Sequence, residues 1–535
     1  MPFLYRNIML PQYQNEQLLP SVVASQLRLP PEALNAFRIV RKGIDARQKP
    51  RIKFVYTVSF ALADESLLRS RISNDPSLTG LEWQPVPQPP AFARLRSQQR
   101  IVIAGSGPAG LFAALRLSEY GLTATVIERG QPVEQRAQDV QRFWRNGGLD
   151  PESNVQFGEG GAGTFSDGKL TCRSKDPLVP WILERLADFG APSEVCYLAK
   201  PHIGTDCLRR VVSAIRAHLL NKGFSIRFGC RLDDIVIRNG QVAAVIAGQE
   251  ELPCDLLILA TGHSARDTYE LLERRGVPLE RKPFAMGLRV EHPQELIDRI
   301  QYGTTRHPNL PTADYAVTWN NRATGRSAYS FCMCPGGVVI AGASEEGGVV
   351  TNGMSGQKRS SSYANSALVV NVAPDDFGGS GPLAGVEFQR SWERRAFTAG
   401  GGDYRAPAQN LLAFLKLPGG KPAAASYRPG IVETDLDEVL PPFIAATLKE
   451  GIPHFGRKLR GFVTAEATLI GIESRTSAPV RILRDEHYQS RGLPGLYPAG
   501  EGAGYAGGIM SSAIDGIKIA DTIAAKLGRE SATET

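Results

Sequence analysis

Six residues near position 105 have the composition and spacing of a phosphate-binding turn. The segment GSGPAG (105–110) matches the pattern G-x-G-x-x-G, follows a short apolar strand (RIVIAG, 100–105) and opens a helix. Gly105 permits the tight turn, Gly107 lets the backbone approach a pyrophosphate, and Gly110 lets the helix pack on the strand. Free N–H groups at the start of the helix would then face the phosphates.

An acidic residue stands where such a motif requires one. Glu128 ends the next predicted strand (ATVIE, 124–128), about 20 residues beyond the glycine turn. A carboxylate at this place accepts hydrogen bonds from ribose hydroxyls and disfavours a 2′-phosphate. The two features together predict a site for FAD or NAD rather than for NADP.

The predicted elements around these motifs form one ordered series. The strand–helix–strand order from residue 100 predicts a parallel sheet. An amphipathic helix (205–223) follows, then a strand meander with an Asn-Gly turn at 239–240 and an apolar strand (256–260) that runs into Thr261-Gly262. Further along, GLYPAGEGAGYAGGIMSSAIDG (495–516) carries seven glycines in 22 positions before a predicted helix.

This order resembles that of the two-dinucleotide-binding-domain flavoproteins of the glutathione-reductase-like superfamily. The resemblance implies FAD and implies that Glu501 binds a ribityl hydroxyl, while the main chain at Leu232 contacts adenine. It also implies that the helix starting at Gly507, Gly508 and Ile509 directs its N-terminal dipole at the flavin. The cofactor-binding residues expected on these grounds are Gly105, Ser106, Gly107, Pro108, Ala109, Gly110, Glu128, Arg129, Arg136, Gly160, Gly161, Gly163, Leu232, Thr261, Gly262, Gly500, Glu501, Gly507, Gly508 and Ile509.

A closer resemblance covers nearly the whole chain. The segments that carry it are RKGIDAR (41–47), SNVQFGEGGAGTFSDGKL (153–170), KPHIGT (200–205), ATGHSARDT (260–268), YSFCMCPGG (329–337) and VVTNGMS (349–355). They resemble a group of uncharacterised bacterial FAD-dependent dehydrogenases. This resemblance implies FAD and the fold, and it implies no substrate.

The catalytic residues stay unknown, with three candidates. Lys169 follows the second glycine-rich run (157–170) and could stabilise a flavin anion or a carboxylate substrate, or be structural. Cys332 and Cys334 stand at i and i+2 on a predicted strand, where alternation would turn both thiols to one face. They could form a redox pair, or be small apolar side chains beside a tight turn.

Composition limits the partners and the compartment. A net charge of +7, with 61 basic and 54 acidic residues and no sustained basic run, makes nucleic acid an unlikely partner by expectation. The seven cysteines show neither disulfide-framework nor metal-type spacing, so we expect no metal and a reducing, cytoplasmic location. No apolar run approaches 18 residues, so we expect no membrane span.

The fold class predicted is α/β: a discontinuous Rossmann-like FAD-binding domain with an inserted cap domain and a small N-terminal α+β domain. The predicted boundaries are 1–72 for the N-terminal module, 73–97 for a Pro-rich linker, 98–275 and 490–535 for the FAD-binding domain, and 276–489 for the substrate or cap domain.

The function expected is hydride transfer between flavin N5 and a small-molecule substrate by a dehydrogenase or reductase. No second G-x-G-x-x-G lies between 270 and 490, so NAD(P)H or another carrier would visit only transiently. Three alternatives stay open: a thiol-disulfide enzyme using Cys332 and Cys334, a flavin-dependent modifier of RNA guided by the N-terminal module, and a non-catalytic flavin-binding sensor. Oligomeric state is not predicted.

Overall fold

A computed structural model describes residues 3–72, 75, 78–84, 92–172, 175–305, 309–422 and 424–533. The strands are β1 Phe3–Pro11, β2 Asn35–Asp45, β3 Lys53–Ala61, β4 Leu81–Trp83, β5 Ile101–Ala104, β6 Thr125–Ile127, β7 Ser225–Arg227, β8 Leu232–Arg238, β9 Gln241–Ala247, β10 Glu250–Pro253, β11 Leu256–Leu259, β12 Leu279–Arg281, β13 Phe284–Pro293, β14 Thr318–Asn320, β15 Ser327–Cys334, β16 Val338–Ala341, β17 Thr351–Met354, β18 Tyr363–Val372, β19 Ala406–Asn410, β20 Ile431–Glu433, β21 Thr468–Glu473, β22 Val480–Ile482 and β23 Leu496–Pro498. The α-helices are α1 Leu19–Leu27, α2 Ser66–Ile72, α3 Pro108–Glu119, α4 Val133–Asn146, α5 Leu178–Asp188, α6 Thr205–Asn221, α7 Arg266–Arg274, α8 Gln294–Tyr302, α9 Ala384–Ala399, α10 Leu411–Phe414, α11 Pro442–Lys458 and α12 Ile509–Thr533.

A five-stranded parallel sheet organises the region after residue 98. Its strand order is β23-β11-β5-β6-β7, so the central strand is β5, which leads into the glycine turn. Strand β5 is buried along its whole length, which explains its unbroken apolar sequence. The arrangement confirms the predicted Rossmann-like α/β class, and it draws β23 from beyond residue 490 into the same sheet.

Between β7 and β11 the chain forms a separate three-stranded antiparallel meander with the order β10-β9-β8. Asn239 and Gly240 link β8 to β9 with φ of 51° and 75°, the conformation that a two-residue hairpin turn requires. The predicted Asn-Gly turn is therefore present.

The N-terminal module is a four-stranded antiparallel sheet with the order β2-β3-β1-β4. Strand β4 lies inside 73–97, so the sheet continues past the predicted boundary at residue 72, and that part of the linker prediction is wrong. Three residues between a glycine and a proline-rich run are too few to show strand alternation. Residues 73–74, 76–77 and 85–91 of the predicted linker lie outside the described residues.

The segment between 276 and 489 builds a seven-stranded sheet with the order β14-β15-β18-β13-β21-β19-β20. Its pairs are antiparallel except β19 with β20. Helix α11 packs against β13, β14, β15 and β18, and α9 packs against β19 and β21. One of the large apolar cores of the protein lies among these elements. The two central strands, β13 and β21, are buried throughout, and they also carry charged residues.

No helix within the described ranges is both long enough and apolar enough to cross a bilayer.

Candidate functional site

The three glycine-rich segments of the sequence meet beyond the carboxyl end of β5. A Cβ on Gly161 would lie 3.0 Å from the Cα of Gly107, and one on Gly163 would lie 3.0 Å from Ile509 Cγ1. Gly161 therefore permits close approach to the backbone of Gly107, and Gly163 permits close approach to the side chain of Ile509. Segments separated by about 400 residues in sequence form one wall.

The turn after β5 is tight for the reason that the motif predicts. Gly105 has φ of 106°, a conformation that residues with a Cβ rarely adopt. A Cβ on Gly110 would overlap the carbonyl oxygen of Gly105, so helix α3 starts in direct contact with the turn. Gly107 precedes Pro108 at the start of α3 and receives no side-chain cap, which leaves the helix N-terminus open to the space in front of it.

Glu128 holds the turn to its neighbours. One carboxylate oxygen accepts hydrogen bonds from the backbone N–H and the hydroxyl of Ser106, each 2.8 Å long. The other oxygen accepts from the N–H groups of Gly130 at 3.0 Å and Gly158 at 2.9 Å. The side chain is buried and lines the cavity described below. Glu128 thus ties the turn to the 157–170 run as well as facing the place where a ribose would bind.

Arg136 is hydrogen-bonded to the main chain of the segment that starts the 157–170 run. It is fully buried and donates hydrogen bonds to four backbone carbonyl oxygens of the segment 154–159. It is not among the residues that line the cavity. Its assignment as a cofactor contact is therefore wrong for this geometry, because its donors are spent on the main chain.

A cavity with about 1560 Å³ of empty space, including its mouth, opens between the Rossmann-like sheet and the seven-stranded sheet. The expected cofactor residues that line it are Gly105, Gly107, Pro108, Ala109, Glu128, Arg129, Gly161, Gly163, Leu232, Thr261, Gly262, Glu501, Gly508 and Ile509. Of the catalytic candidates, Lys169 and Cys332 line it and Cys334 does not. The expected residues outside the lining are Ser106, Gly110, Arg136, Gly160, Gly500 and Gly507.

Several of the residues outside the lining support it. Gly160 donates its N–H to the carbonyl oxygen of Ser106 at 2.9 Å, which joins two of the glycine segments. A Cβ on Gly500 would lie 2.8 Å from the Cβ of Ala109, so this glycine lets the last segment approach helix α3. These residues position the wall and do not form its surface.

The wall near the last helix contains a partly buried carboxyl, Glu501, and a partly buried imidazole, His263. Burial raises the pKa of Glu501 to about 7, although the N–H of Gly508 points to its carboxylate at 3.3 Å. Burial, with the nearby charges of Arg475 and Arg266, lowers the pKa of His263 to about 3, so its ring is neutral. The two side chains lie 3.7 Å apart. This wall therefore offers polar groups with little fixed charge.

The wall opposite comes from the seven-stranded sheet. Arg289 on β13 and Glu473 on β21 form a buried ion pair with N–O distances of 2.9 and 3.0 Å. Lys169 donates from Nζ to the carbonyl oxygen of Met333, which fixes the ammonium group beside β15. Glu473, Lys169 and Cys332 all line the cavity. Charged side chains therefore line this side of the cavity as well as the side that carries Glu128 and Arg129.

A buried ion network joins the two sheets across the cavity. Arg266 at the start of α7 and Arg475 after β21 both bind Glu393 on α9, at 2.8 and 2.9 Å. Burial would raise the pKa of Glu393, but the two guanidinium groups hold it far below its usual range. Breaking such a buried network costs about 3–5 kcal/mol. The network fixes how the cavity walls face each other.

The two cysteine candidates lie on an irregular part of strand β15. The pairing of β15 with β18 shifts between Phe331 and Cys334, and Cys332 has φ of 44°. The expectation of a regular strand with both thiols on one face is therefore wrong, because an extra residue bulges out of the ladder. The Cys334 thiol is fully buried behind Cys332 and lies 3.4 Å from its carbonyl oxygen.

Some lining residues were not predicted from the sequence. They are Gln156, Phe157, Gly158, Gly168, Cys230, Arg231, Ser264, Thr268, Phe331, Asn352, Glu473, Arg475, Thr476 and Ser512, among others. A signal for Glu473 and Arg475 was present, because charged residues inside the apolar run TLIGIESRT (468–476) must be paired or functional.

The cavity fits FAD on three observations. Nε2 of His263 is buried without a hydrogen-bond partner among the described residues, so it is available to a ligand. Gly508 has φ of 92°, and a Cβ there would meet no protein atom within 4 Å, so open space lies in front of helix α12. The uncapped start of α3 faces the same cavity. The cavity thus offers hydrogen-bonding groups and open space to a bound dinucleotide.

Two family descriptions match the parts of the chain that build this cavity. Residues 100–156 match a family described as an FAD binding domain. Residues 283–476 match one described as an FAD-dependent protein, C-terminal domain-like, and residues 5–61 match a domain of unknown function. Fold, cavity and matches together define the class of FAD-dependent flavoproteins, and they confirm FAD as the cofactor.

A relative shows the family. An uncharacterized protein of Clostridium beijerinckii is 44% identical to this chain over 531 residues, which are 97% of this chain and 98% of that protein. The chain belongs to the family of FAD-dependent, oxidoreductase-type proteins that this relative represents.

Solved structures of low sequence identity share parts of the layout. The chain is similar to a geranylgeranyl bacteriochlorophyll reductase-like protein from Thermoplasma acidophilum, with 12% identity, 81% of this chain and 79% of that chain covered, and a TM-score of 0.36. It is also similar to a glycine oxidase from Bacillus cereus, with 14% identity, 80% and 96% covered, and a TM-score of 0.30.

Proposed function

We propose that the protein is an oxidoreductase that transfers a hydride between a small-molecule substrate and FAD held in the cavity between the two sheets. The observation that carries the proposal is the double origin of this cavity. The glycine segments of the Rossmann-like domain form one wall, and Cys332 and Glu473 of the seven-stranded sheet form the wall opposite; Lys169, at the end of the second glycine segment, reaches across to that wall. A substrate between the cofactor and that second wall would meet the charged side chains.

Bound FAD supplies the two-electron chemistry, and the chain supplies position and charge. The N-termini of α3 and α12 stabilise negative charge on the cofactor side. Lys169, fixed by the Met333 carbonyl oxygen, orients an anionic group of the substrate. The Arg266–Glu393–Arg475 network holds α7, α9 and the segment after β21 in a fixed arrangement beside the site.

Electrons must also leave or enter after each turnover. Residues 270–490 contain no second G-x-G-x-x-G, so the proposal includes a transient visit by NAD(P)H or another carrier rather than a resident nicotinamide domain.

The test is an anaerobic metabolite screen on the FAD-loaded protein. At least one compound is expected to bleach the flavin absorbance near about 450 nm. With that compound, Lys169→Met should lower the bleaching rate at least about tenfold while FAD content stays constant, because one oriented charge contributes on the order of 1.4 kcal/mol or more.

The matched control is Lys222→Met, which removes an exposed lysine at the end of α6. It should bleach at the wild-type rate. If no donor in the screen bleaches the flavin, the proposed function is wrong. If Lys169→Met bleaches as fast as the control, the assigned role of Lys169 is wrong.

A further inference from the structure

Cys332 and Cys334 are placed as a pair at the cavity wall opposite the glycine segments. Cys332 lines the cavity and is partly accessible, whereas Cys334 is fully buried directly behind it. Both thiols are free, and the Cys334 thiol donates a hydrogen bond to the carbonyl oxygen of Cys332 at 3.4 Å. One cysteine thus lines the cofactor space, and the second is buried and does not line it.

The backbone adopts an uncommon conformation to bring the pair together. On a regular strand, Cα atoms two residues apart are more than 6 Å from each other, near the upper limit for a disulfide. The bulge in β15 and the φ of 44° at Cys332 bend the chain between the two cysteines. A residue with a Cβ is rarely found at such φ, and strained backbone of this kind concentrates at functional sites.

The charges around the pair favour one thiolate and one thiol. Arg289 donates from Nη1 to the Cys332 carbonyl oxygen at 3.3 Å, and Lys169 is bound to the carbonyl oxygen of Met333. The hydrogen bond from Cys334 together with these cations lowers the pKa of Cys332 to about 6, and the same contact and burial raise the pKa of Cys334. A thiolate is the reactive form in thiol-disulfide chemistry.

Gly353 on β17 is needed for this arrangement. A Cβ there would lie 2.8 Å from Cys334 Sγ and would overlap the Nη1 of Arg289 and the side-chain oxygen of Asn365. The glycine therefore lets a guanidinium group, an amide and a thiol converge behind Cys332.

We propose that Cys332 and Cys334 are a redox-active dithiol that exchanges an electron pair with FAD in the adjoining cavity. In the oxidising direction an Sγ–Sγ bond forms, and two electrons pass to FAD. The Cys334 proton leaves the sulfur, and one proton is taken up by the reduced cofactor. In the reverse direction reduced FAD breaks the disulfide and restores one thiolate and one thiol.

This pair gives the protein two places to hold electrons. The inference rests on the presence of FAD in the cavity, as the proposed function does, but it does not depend on which small molecule is oxidised or reduced. The dithiol stores a second electron pair next to the cofactor and can hand it to a partner disulfide or keep the cofactor reduced.

The test is an anaerobic reductive titration of the FAD-loaded protein after air oxidation, with dithionite as reductant. The wild-type protein should take up two two-electron equivalents per FAD, one for the flavin and one for the disulfide. Cys332→Ser and Cys334→Ser should each take up one. Cys196→Ser, which changes an exposed cysteine elsewhere, should take up two. One equivalent in the wild-type protein overturns the proposal.

A second readout on the unaltered protein avoids dependence on the folding of the variants. Trypsin releases residues 327–358 as one peptide that contains only these two cysteines. Alkylation after air oxidation should leave this peptide unlabelled and about 2 Da lighter than its dithiol form, and reduction should allow two labels. Full labelling before reduction overturns the proposal.

The flavin absorbance measures the amount of bound FAD in every sample, so the electron count is expressed per bound FAD. The hydride-transfer proposal and the dithiol proposal can therefore fail independently of each other. Absence of a substrate that bleaches the flavin would not change the number of electron equivalents. A count of one equivalent would not change the bleaching by a small-molecule donor.

Discussion

Replacement of Glu128 by Ala tests how the dinucleotide site is held together. The change removes the acceptor of four hydrogen bonds and leaves the buried N–H groups of Ser106, Gly130 and Gly158 without it. An orphaned buried donor costs roughly 1–3 kcal/mol, so three cost about 3–9 kcal/mol. Part of this appears as lost stability of the apoprotein, and part as lost FAD affinity, because the turn and the 157–170 run separate.

We expect Glu128→Ala to weaken FAD binding at least about 100-fold, which corresponds to about 2.7 kcal/mol. Glu128→Gln keeps the shape and one acceptor oxygen, but its amide nitrogen faces N–H donors. Its FAD affinity should therefore lie between those of the wild-type protein and Glu128→Ala. The assays are titration of apoprotein with FAD, followed by quenching of flavin fluorescence, and thermal unfolding of the apoprotein.

Glu250→Ala is the matched control, because Glu250 forms an exposed ion pair with Arg227 that contributes under about 1 kcal/mol. Glu250→Ala should change neither the FAD affinity nor the unfolding temperature of the apoprotein measurably. The reasoning is refuted if Glu128→Ala binds FAD within threefold of the wild-type protein and unfolds at the same temperature.

Four further changes test other parts of the wall. Gly508→Val should leave the apoprotein folded, yet the purified protein should lack most of its flavin absorbance, because the added side chain enters the open space in front of α12 and strains a φ of 92°. Arg136→Met should lower the free energy of unfolding of the apoprotein by about 3 kcal/mol, measured in urea, because four carbonyl oxygens lose their donor. The Glu501 carboxyl has a raised pKa in the folded protein, so its contribution to stability is complete below about pH 4.5 and is lost as pH rises through about 7. Over that range the wild-type apoprotein should lose about 2–3 kcal/mol of unfolding free energy relative to Glu501→Gln. Thermal unfolding at several pH values measures this difference. A chain ending at residue 500 should not retain FAD on gel filtration, because it lacks Glu501 and all of α12.

Each of these expectations has a contrary result. A Gly508→Val protein with full flavin content would show that the space before α12 is not the cofactor site. An Arg136→Met protein as stable as the wild type would show that solvent replaces the guanidinium. Parallel pH profiles for the wild-type protein and Glu501→Gln would remove Glu501 as the titrating group.

Local motifs were predictable because their physics is local. Gly105, Gly110 and Glu128 act within about 25 residues of one another, and the conformations they need follow from the absence of a Cβ and from one carboxylate. Arg136 was among the residues expected to bind the cofactor, and nothing in the sequence shows that carbonyl oxygens occupy its donors.

The features that were missed depend on long-range pairing. Arg289 and Glu473 are 184 residues apart and become partners only because β13 and β21 are neighbours in the sheet. The bulge at Cys332 depends on the register with β18, which alternation of side chains cannot predict. Sequence patterns thus identified the wall facing the phosphates better than the wall facing the substrate.

The place of β23 in the parallel sheet has a consequence for the order in which the protein is made. Strand β11 pairs with β5 on one side and with β23 on the other, and β23 starts at residue 496, 237 positions after β11 ends. At about 5–20 residues per second, a ribosome needs roughly 12–47 s to reach it. Throughout that interval the apolar edge of β11 is unpaired in the nascent chain, which is the kind of edge that recruits other strands. Chaperone capture during translation is therefore expected to concentrate on chains between these two lengths.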